Sequence, residues 1–286
     1  MKTCISIYDC PQEKVLLFTK NGYDVVECKA CGHRFSKPDA IETHLHNVYS
    51  DSYFFEGKDG YPNYLDEKDI LIKHGDRYAK IVSNYINVPG SLLDVGCAAG
   101  FILKGFKQNG WQCYGIEPNK TMAAYGKTEL DVDIQVGSLE SVDMDKTFDL
   151  ITLIQVIGHF QDIDKALKNA NKLLNPGGYV LVESWNRDSL MSKLMGKNWH
   201  EYSPPSVIHW FSDKTLINLF KFHGFTFIAK GLPLKQINLK HAISLVDGKT
   251  PNFALKHKLI NGLEKSIGNL KVIYPPVDLK WYIFQK

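Results

Sequence analysis

The stretch Ser91-Leu92-Leu93-Asp94-Val95-Gly96-Cys97-Ala98-Ala99-Gly100 decides the fold. An apolar strand ends in an acidic residue and runs straight into a turn of small residues. Gly96 and Gly100 can reach backbone angles closed to other residues, and with Ala98 and Ala99 between them they let a ligand lie against the main chain. Further on, a second apolar segment, Cys113-Tyr114-Gly115-Ile116, ends in Glu117 and Pro118. A doubly wound fold places there the carboxylate that accepts both hydroxyls of a ribose. A nucleotide-type cofactor is therefore expected on this turn. The spacing Asp94-x-Gly96-x-x-x-Gly100 does not reproduce the three-glycine dinucleotide fingerprint.

From residue 91 onward strands and helices alternate, the pattern of a parallel sheet with helices on both faces. Strands are expected near 91–95, 112–117, 133–136, 148–154 and 178–184. A helix opens at the capping acids Asp162 and Asp164 and runs to Leu174, where Asn175-Pro176-Gly177-Gly178 stops it. Another begins at Ser212-Asp213 and ends at His223-Gly224. Phe225 to Ala229 then reads as a strand, and Lys280 to Phe284 as an antiparallel strand closing the sheet.

These motifs resemble those of class I S-adenosylmethionine (SAM)-dependent methyltransferases. The likeness rests on the acid-ended strand with its Gly-Cys-Ala-Ala-Gly turn, on Gly115-Ile116-Glu117-Pro118, on Phe148-Asp149-Leu150-Ile151-Thr152-Leu153-Ile154, and on Leu173-Leu174-Asn175-Pro176-Gly177-Gly178. It covers at least residues 90–230 and implies an α/β, Rossmann-like sheet of seven mostly parallel strands with SAM as cofactor. The cofactor-binding residues it implies are Asp94, Gly96, Cys97, Ala98, Gly100, Glu117, Pro118, Ser138, Leu139 and Gln155. Relatives often carry an adenine-contacting acid after the third strand. Here Gly137-Ser138-Leu139 stands instead, leaving the Ser138 hydroxyl and the neighbouring backbone amide for adenine. Gln155 is expected to face the methionine part of the cofactor. Cys97 and Cys113 read as small packing residues.

Ahead of the core, residues 1–48 are expected to form a Cys-rich, zinc-ribbon-like module. Cys28-Lys29-Ala30-Cys31-Gly32-His33 has the C-x-x-C-G form of a zinc knuckle, in which the turn aims two thiolates at one metal. Cys4 and Cys10 would complete the set for a structural zinc, although five residues separate them where a ribbon normally has two. His33 is the alternative fourth ligand. The competing reading is free cysteines in a degenerate ribbon. Residues 49–89 are crowded with aromatics and resemble the helical lid that precedes the core in Cys-rich members of the family. Two readings stand for Tyr61 and Tyr64, contact with cofactor or substrate and packing on the core.

The core is expected over 90–286, with a substrate loop at 185–211 and a C-terminal insertion at 235–275 that carries helical periodicity in Phe253 to Ile260. A sulfonium methyl is already activated, so such an enzyme chiefly holds the acceptor in line, excludes water and takes a proton from a weakly nucleophilic acceptor. His159 and His209 are the catalytic candidates, because both fall where this family binds substrates and histidine titrates near neutrality. Each has an alternative: His159 as a cap on its loop, His209 as a hydrogen bond that fixes the loop. Many relatives carry Glu-His where this chain has Gly158-His159. His200 and Tyr202 are further candidates on the same loop.

The 286 residues are 44% hydrophobic and 23% charged, sufficient for one large domain with appendages. A net charge of +3 with scattered lysines disfavours a nucleic-acid partner. No apolar run reaches the length of a membrane span and the Met1 end lacks a signal-peptide stretch, so a cytoplasmic location is expected. The expected activity is methyl transfer to a small polar acceptor, a hydroxyl of a sugar, glycan precursor or secondary metabolite. The alternatives are an RNA-base methyltransferase with a zinc-binding recognition module and a non-catalytic SAM-binding protein. Neither the oligomeric state nor the choice among O-, N- and C-methylation is legible.

Overall fold

The structure is a computed structural model that describes residues 13–36, 50–55, 63–233, 236–238, 271–273 and 278–286. It opens with the antiparallel strands β1 (Lys14–Lys20) and β2 (Tyr23–Cys28), followed by the short β3 (Arg34–Phe35). Asn21 and Gly22 join the first two with φ of +53° and +82°, both left-handed as a tight hairpin turn requires. The helices α1 (Asp51–Phe55) and α2 (Lys68–Val82) come next, with a 3-10 turn at Tyr64–Glu67 between them.

The core then alternates β4 (Ser91–Val95), α3 (Phe101–Lys107), β5 (Gln112–Glu117), α4 (Lys120–Leu130), β6 (Asp133–Val136), β7 (Phe148–Ile154), α5 (Ile163–Leu173) and β8 (Leu174–Trp185). After α6 (Leu190–Met195) and β9 (His209–Trp210), the chain forms α7 (Asp213–Phe222) and β10 (Thr226–Gly231). The short β11 (Gln236–Asn238) and β12 (Lys271–Ile273) pair with each other, and β13 (Leu279–Gln285) ends the core. The expected helical stretch Phe253 to Ile260 lies outside the described residues.

Seven strands form one sheet in the order β10-β13-β8-β7-β4-β5-β6. β4 to β8 run parallel, and β13 is antiparallel to both of its neighbours. From β4 the chain moves outward through β5 and β6, then returns to β7 on the other side of β4. The order therefore reverses between β4 and β7, which places a ligand crevice at the carboxyl ends of these two strands. One expected boundary differs: β8 begins at Leu174 rather than near 178. The register with β7 shifts between Phe148 and Leu150, so the Asn175-Pro176-Gly177-Gly178 turn is absorbed as an irregularity in the strand.

Both faces of the sheet are buried, with side chains alternating along each strand. Leu93, Val95, Ile151 and Val182 pack on one side with Leu167 of α5 and Leu216 and Phe220 of α7. Leu92, Leu150 and Leu181 pack on the other with Tyr78 of α2 and Phe101 and Phe106 of α3. On that second face α2 and α3 cross glycine to glycine: a Cβ at Gly105 would stand 2.2 Å from the Ile72 carbonyl oxygen and 2.6 Å from the Asp76 amide. Ala normally stabilises a helix by about 1 kcal/mol over Gly. Here Gly105→Ala is expected to do the reverse, lowering stability by about 2–3 kcal/mol in a denaturant melt because the helices must part.

The N-terminal strands do not stand apart. A four-stranded sheet runs β1-β2-β3-β9, so residues 34–35 pair with 209–210 in the loop beyond β8. Val25 of β2 packs with Trp199, Tyr202, Val207 and Trp210. Glu27 accepts from Arg34 Nη2 at 2.7 Å and from Arg187 Nη1 at 2.5 Å. The hairpin is thus one wall of the region next to the crevice.

Candidate active site

The turn after β4 has the backbone that its small residues permit. Gly96, Ala98 and Gly100 all take positive φ, at +67°, +47° and +78°. A Cβ at Gly96 would stand 2.5 Å from Val156 Cγ1, so the turn lies directly against the chain leaving β7. At the end of β5, the buried Glu117 accepts the Ala98 N–H on Oε2 and the Asn119 N–H on Oε1, each at 2.8 Å. The two backbone donors fix the carboxylate plane and use one lone pair on each oxygen, which leaves one on each for an outside donor. A vicinal diol such as that of a ribose fits this acceptor pair. Asp94, equally buried, accepts from Thr152 Oγ1 at 2.6 Å.

Burial pushes both carboxyls up to about 7. For Asp94 the Thr152 bond opposes the rise and the charge of Glu117 adds to it. For Glu117 the backbone N–H groups of Asn119 and Ala98 oppose it. Pro118 leads to Asn119, which caps α4 by accepting the Met122 N–H at 2.8 Å and donates to Asp51 of α1 at 3.0 Å. The segment before the core is therefore docked on the rim of the turn.

A cavity opens beyond the ends of β7 and β8, lined by Gln155, Ile157, His159, Trp185, Glu201 and Trp210 among others. His159 Nδ1 pairs with the Ser206 carbonyl oxygen at 2.8 Å. A carbonyl only accepts, so Nδ1 carries the proton and the neutral ring has an unprotonated Nε2. Gly158 leaves little room beside it, since a Cβ there would stand 3.0 Å from the His209 carbonyl oxygen. A side chain at 158 would therefore press on the backbone at His209 and on Val207.

His209 lines the same cavity but has partners on both ring nitrogens. Its Nε2 pairs with the Phe160 carbonyl at 2.9 Å and its Nδ1 with His33 Nε2 at 3.0 Å. Burial pushes it down to about 3 and pushes His33 well below its usual value, so both rings are neutral near pH 7. His209 thus ties β3 to the loop that follows β7.

A family model described as a methyltransferase domain matches residues 71–230, more than half of the chain. The chain belongs to this methyltransferase family. Two curated relatives are the ubiquinone biosynthesis O-methyltransferases of Rhodopseudomonas palustris (strain BisB5) and Nitrobacter winogradskyi. Each is 30% identical over 126 residues, covering 42% of this chain and 49% and 48% of the relative respectively. The chain spans about half the length of the curated relatives it matches. Among solved structures, a SAM-dependent methyltransferase of Thermotoga maritima superposes with a TM-score of 0.53 at 18% identity, over 85% of this chain and 98% of that one. Magnesium protoporphyrin IX methyltransferase of Synechocystis PCC 6803, solved with bound S-adenosylhomocysteine (SAH), gives 0.53 at 13%, over 84% and 99%. These likenesses show the fold.

Other sequence candidates in this methyltransferase fall as follows. Cys97 is buried under the turn, its Sγ 2.5 Å from where a Cβ on Gly115 would be, and burial pushes its thiol far up. Cys113 is pushed up to about 12, again by burial. The Leu139 side chain is wholly in the core, whereas the Ser138 hydroxyl lies 3.3 Å from that of Ser141 in an exposed turn. Tyr64 is buried and stacks on Phe101, the first residue of α3, with ring centroids 5.4 Å apart. Tyr202 is buried between Trp199 and Trp210, its hydroxyl bonded to Arg34, and His200 packs edge-on against Trp185. Tyr61 lies outside the described residues.

Glu183 and Tyr78, both buried at this site, were not among the residues expected from the sequence. A carboxylate directly after the apolar run Tyr179 to Val182 was the available signal, since a buried charge requires donors. Among the described residues no group of three or more His, Cys, Asp and Glu is gathered to hold a metal, and no helix is long and apolar enough to cross a membrane. Cys28 and Cys31 flank a turn closed by Gly32 N–H on the Cys28 carbonyl at 2.8 Å. Cys4 and Cys10 lie outside the described residues.

Proposed function

We propose that this methyltransferase uses SAM to methylate a hydroxyl of a small polar acceptor, a sugar, glycan precursor or secondary metabolite. The observation that carries this reading is the junction of two sites. The turn with Glu117 and the cavity with His159 meet at the ends of β4, β7 and β8, where Val156 touches Gly96 and its neighbour Gln155 lines the cavity. Gly96, Ala98 and Gly100 would admit the cofactor against the main chain, and Glu117 would accept its ribose hydroxyls. When bound, SAM supplies a methyl group already activated on a sulfonium.

The chain then has three tasks. The cavity walls, including Trp185 and Trp210, position the acceptor and exclude water. His159 takes the hydroxyl proton on Nε2 while Ser206 holds Nδ1–H and stabilises the imidazolium that forms. His209 keeps the loop bearing Ser206 in place and moves no proton. The name O-methyltransferase borne by the curated relatives agrees with a hydroxyl acceptor. The test is transfer of labelled methyl from SAM to a panel of sugars, catechols and aliphatic alcohols, with amines and RNA as controls. Label recovered as an ether supports the reading, and label recovered only on nitrogen or RNA overturns it.

Cofactor affinity should depend on pH. Asp94 and Glu117 titrate near 7 in the folded chain and near 4 when unfolded, so the free protein holds extra protons between these values. Their contribution to stability therefore falls as pH rises through 7. Hydroxyl donors favour the ionised carboxylate, so SAH binding should release protons below pH 7. Its Kd is expected to drop by about fivefold from pH 6 to 7 and by about tenfold in all by pH 8, where it levels off, read by calorimetry.

We also propose that Cys28 and Cys31 hold a structural zinc together with Cys4 and Cys10. The support is the C-x-x-C turn and its two closing backbone bonds, Gly32 N–H to Cys28 and Cys28 N–H to the His33 carbonyl. Metal analysis should find about one zinc per chain, lost in Cys28→Ser.

A further inference from the structure

Glu183 and Tyr78 take no part in the chemistry proposed above. Glu183 lies on β8, fully buried, and its carboxylate binds two neutral donors from different elements. Oε1 accepts Gln155 Nε2 at 2.9 Å, and Oε2 accepts the Tyr78 hydroxyl of α2. The Glu183 carbonyl oxygen also takes the Gln155 N–H at 2.9 Å, so Gln155 is bound to one residue through both its main chain and its side chain. Arg77 rests on the Tyr78 ring, 4.8 Å from its centroid.

Gln155 is held in a costly conformation. Its φ is +58°, a left-handed angle for a residue with a side chain, and such strain persists only where the surroundings over-determine it. The bonds to Glu183 supply that constraint. A carboxylate accepts and cannot donate, so the Gln155 amide must turn its NH2 toward Glu183 and its oxygen away. Gln155 lines the acceptor cavity, and the next residue touches Gly96 of the cofactor turn. An oriented dipole with a buried negative charge behind it therefore stands at the boundary across which a methyl group would pass.

We infer that Glu183, acting through Gln155, is a positioning residue that makes this boundary select a positively charged sulfonium donor over its neutral demethylated product. The inference rests on the SAM reading above and adds to it a charge preference set by residues outside the ribose site. SAM and SAH differ by the methyl group and one positive charge. A buried anion and an oxygen dipole favour the cation, and they would therefore help the spent cofactor leave.

The test is the ratio of SAH and SAM dissociation constants, measured by calorimetry on the whole protein, with no acceptor needed. Glu183→Gln keeps the shape and one acceptor oxygen for Gln155, turns its new NH2 toward the Tyr78 hydroxyl, which can accept, and removes the charge. It should weaken SAM by about tenfold and leave SAH within about twofold. Gln155→Met keeps side-chain bulk but removes the amide, and should lower the same preference. SAH binding near the wild-type value serves as the folding control for each variant, and Gln155→Met decides if Glu183→Gln fails that control. An unchanged ratio, or equal losses for both ligands, overturns the inference, because a merely structural role moves both ligands together. Failure of the wild type to bind either ligand overturns instead the SAM reading on which this inference depends.

Discussion

Glu117→Ala is expected to weaken SAH binding by at least about 2 kcal/mol, a loss of about thirtyfold in affinity. Each Glu117 oxygen already takes one backbone N–H, from Ala98 and from Asn119, so the carboxylate is oriented before any ligand arrives. Hydrogen bonds to a charged acceptor contribute about 1.5–3 kcal/mol each, and a diol makes two. Alanine removes both and frees the two amides, loosening the turn at Ala98. Glu117→Gln keeps one acceptor oxygen and should fall between alanine and wild type. The folded state should tolerate either change, because removing a carboxyl that burial has pushed up to about 7 relieves a desolvation cost. A variant that melts like wild type and binds SAH equally well would remove Glu117 from the ribose site.

The second large effect belongs to His159. His159→Ala should lower kcat by about 10²–10³, the range of general-base contributions, with SAH affinity unchanged. The deficit should shrink as pH approaches the acceptor's own ionisation, because an acceptor already deprotonated needs no base. His209→Ala is expected to behave differently. It removes the ring that joins His33 to the Phe160 carbonyl, so its loss should appear first as lowered stability. If the His159 variant kept its rate at neutral pH, proton removal would have to be assigned elsewhere in the cavity.

The parallel half of the sheet was legible because each strand announces itself. Ser91–Val95 and Gln112–Glu117 are short runs rich in apolar residues with an acid next to the end or at it, and Phe148–Ile154 is a buried run between turn signals. Glu117 and the glycine turn could be found because the chemistry needs those residue types at that spacing. The sheet that joins β3 to β9 was not legible. Each strand has two residues, too few to show any period, and the pairing spans a separation that no local pattern encodes. The Asn21-Gly22 hairpin does carry a local signal, an Asn-Gly pair between two runs rich in apolar residues. His209 reads as catalytic by its position on the loop, and the hydrogen bonds of its ring to His33 and the Phe160 carbonyl support the bracing role proposed for it instead. Glu183 was hidden for the opposite reason: its partners Tyr78 and Gln155 come from a helix and a strand end far away in sequence.

The most direct test of the central claim, that the β4 turn and Glu117 form a SAM site opening onto the His159 cavity, is calorimetric titration of the wild-type protein with SAH at pH 6.5, repeated in two buffers of different ionisation enthalpy. The account predicts one-to-one binding at micromolar Kd with release of protons, from carboxyls that titrate near 7. A folded protein that gives no heat of binding in either buffer would contradict it.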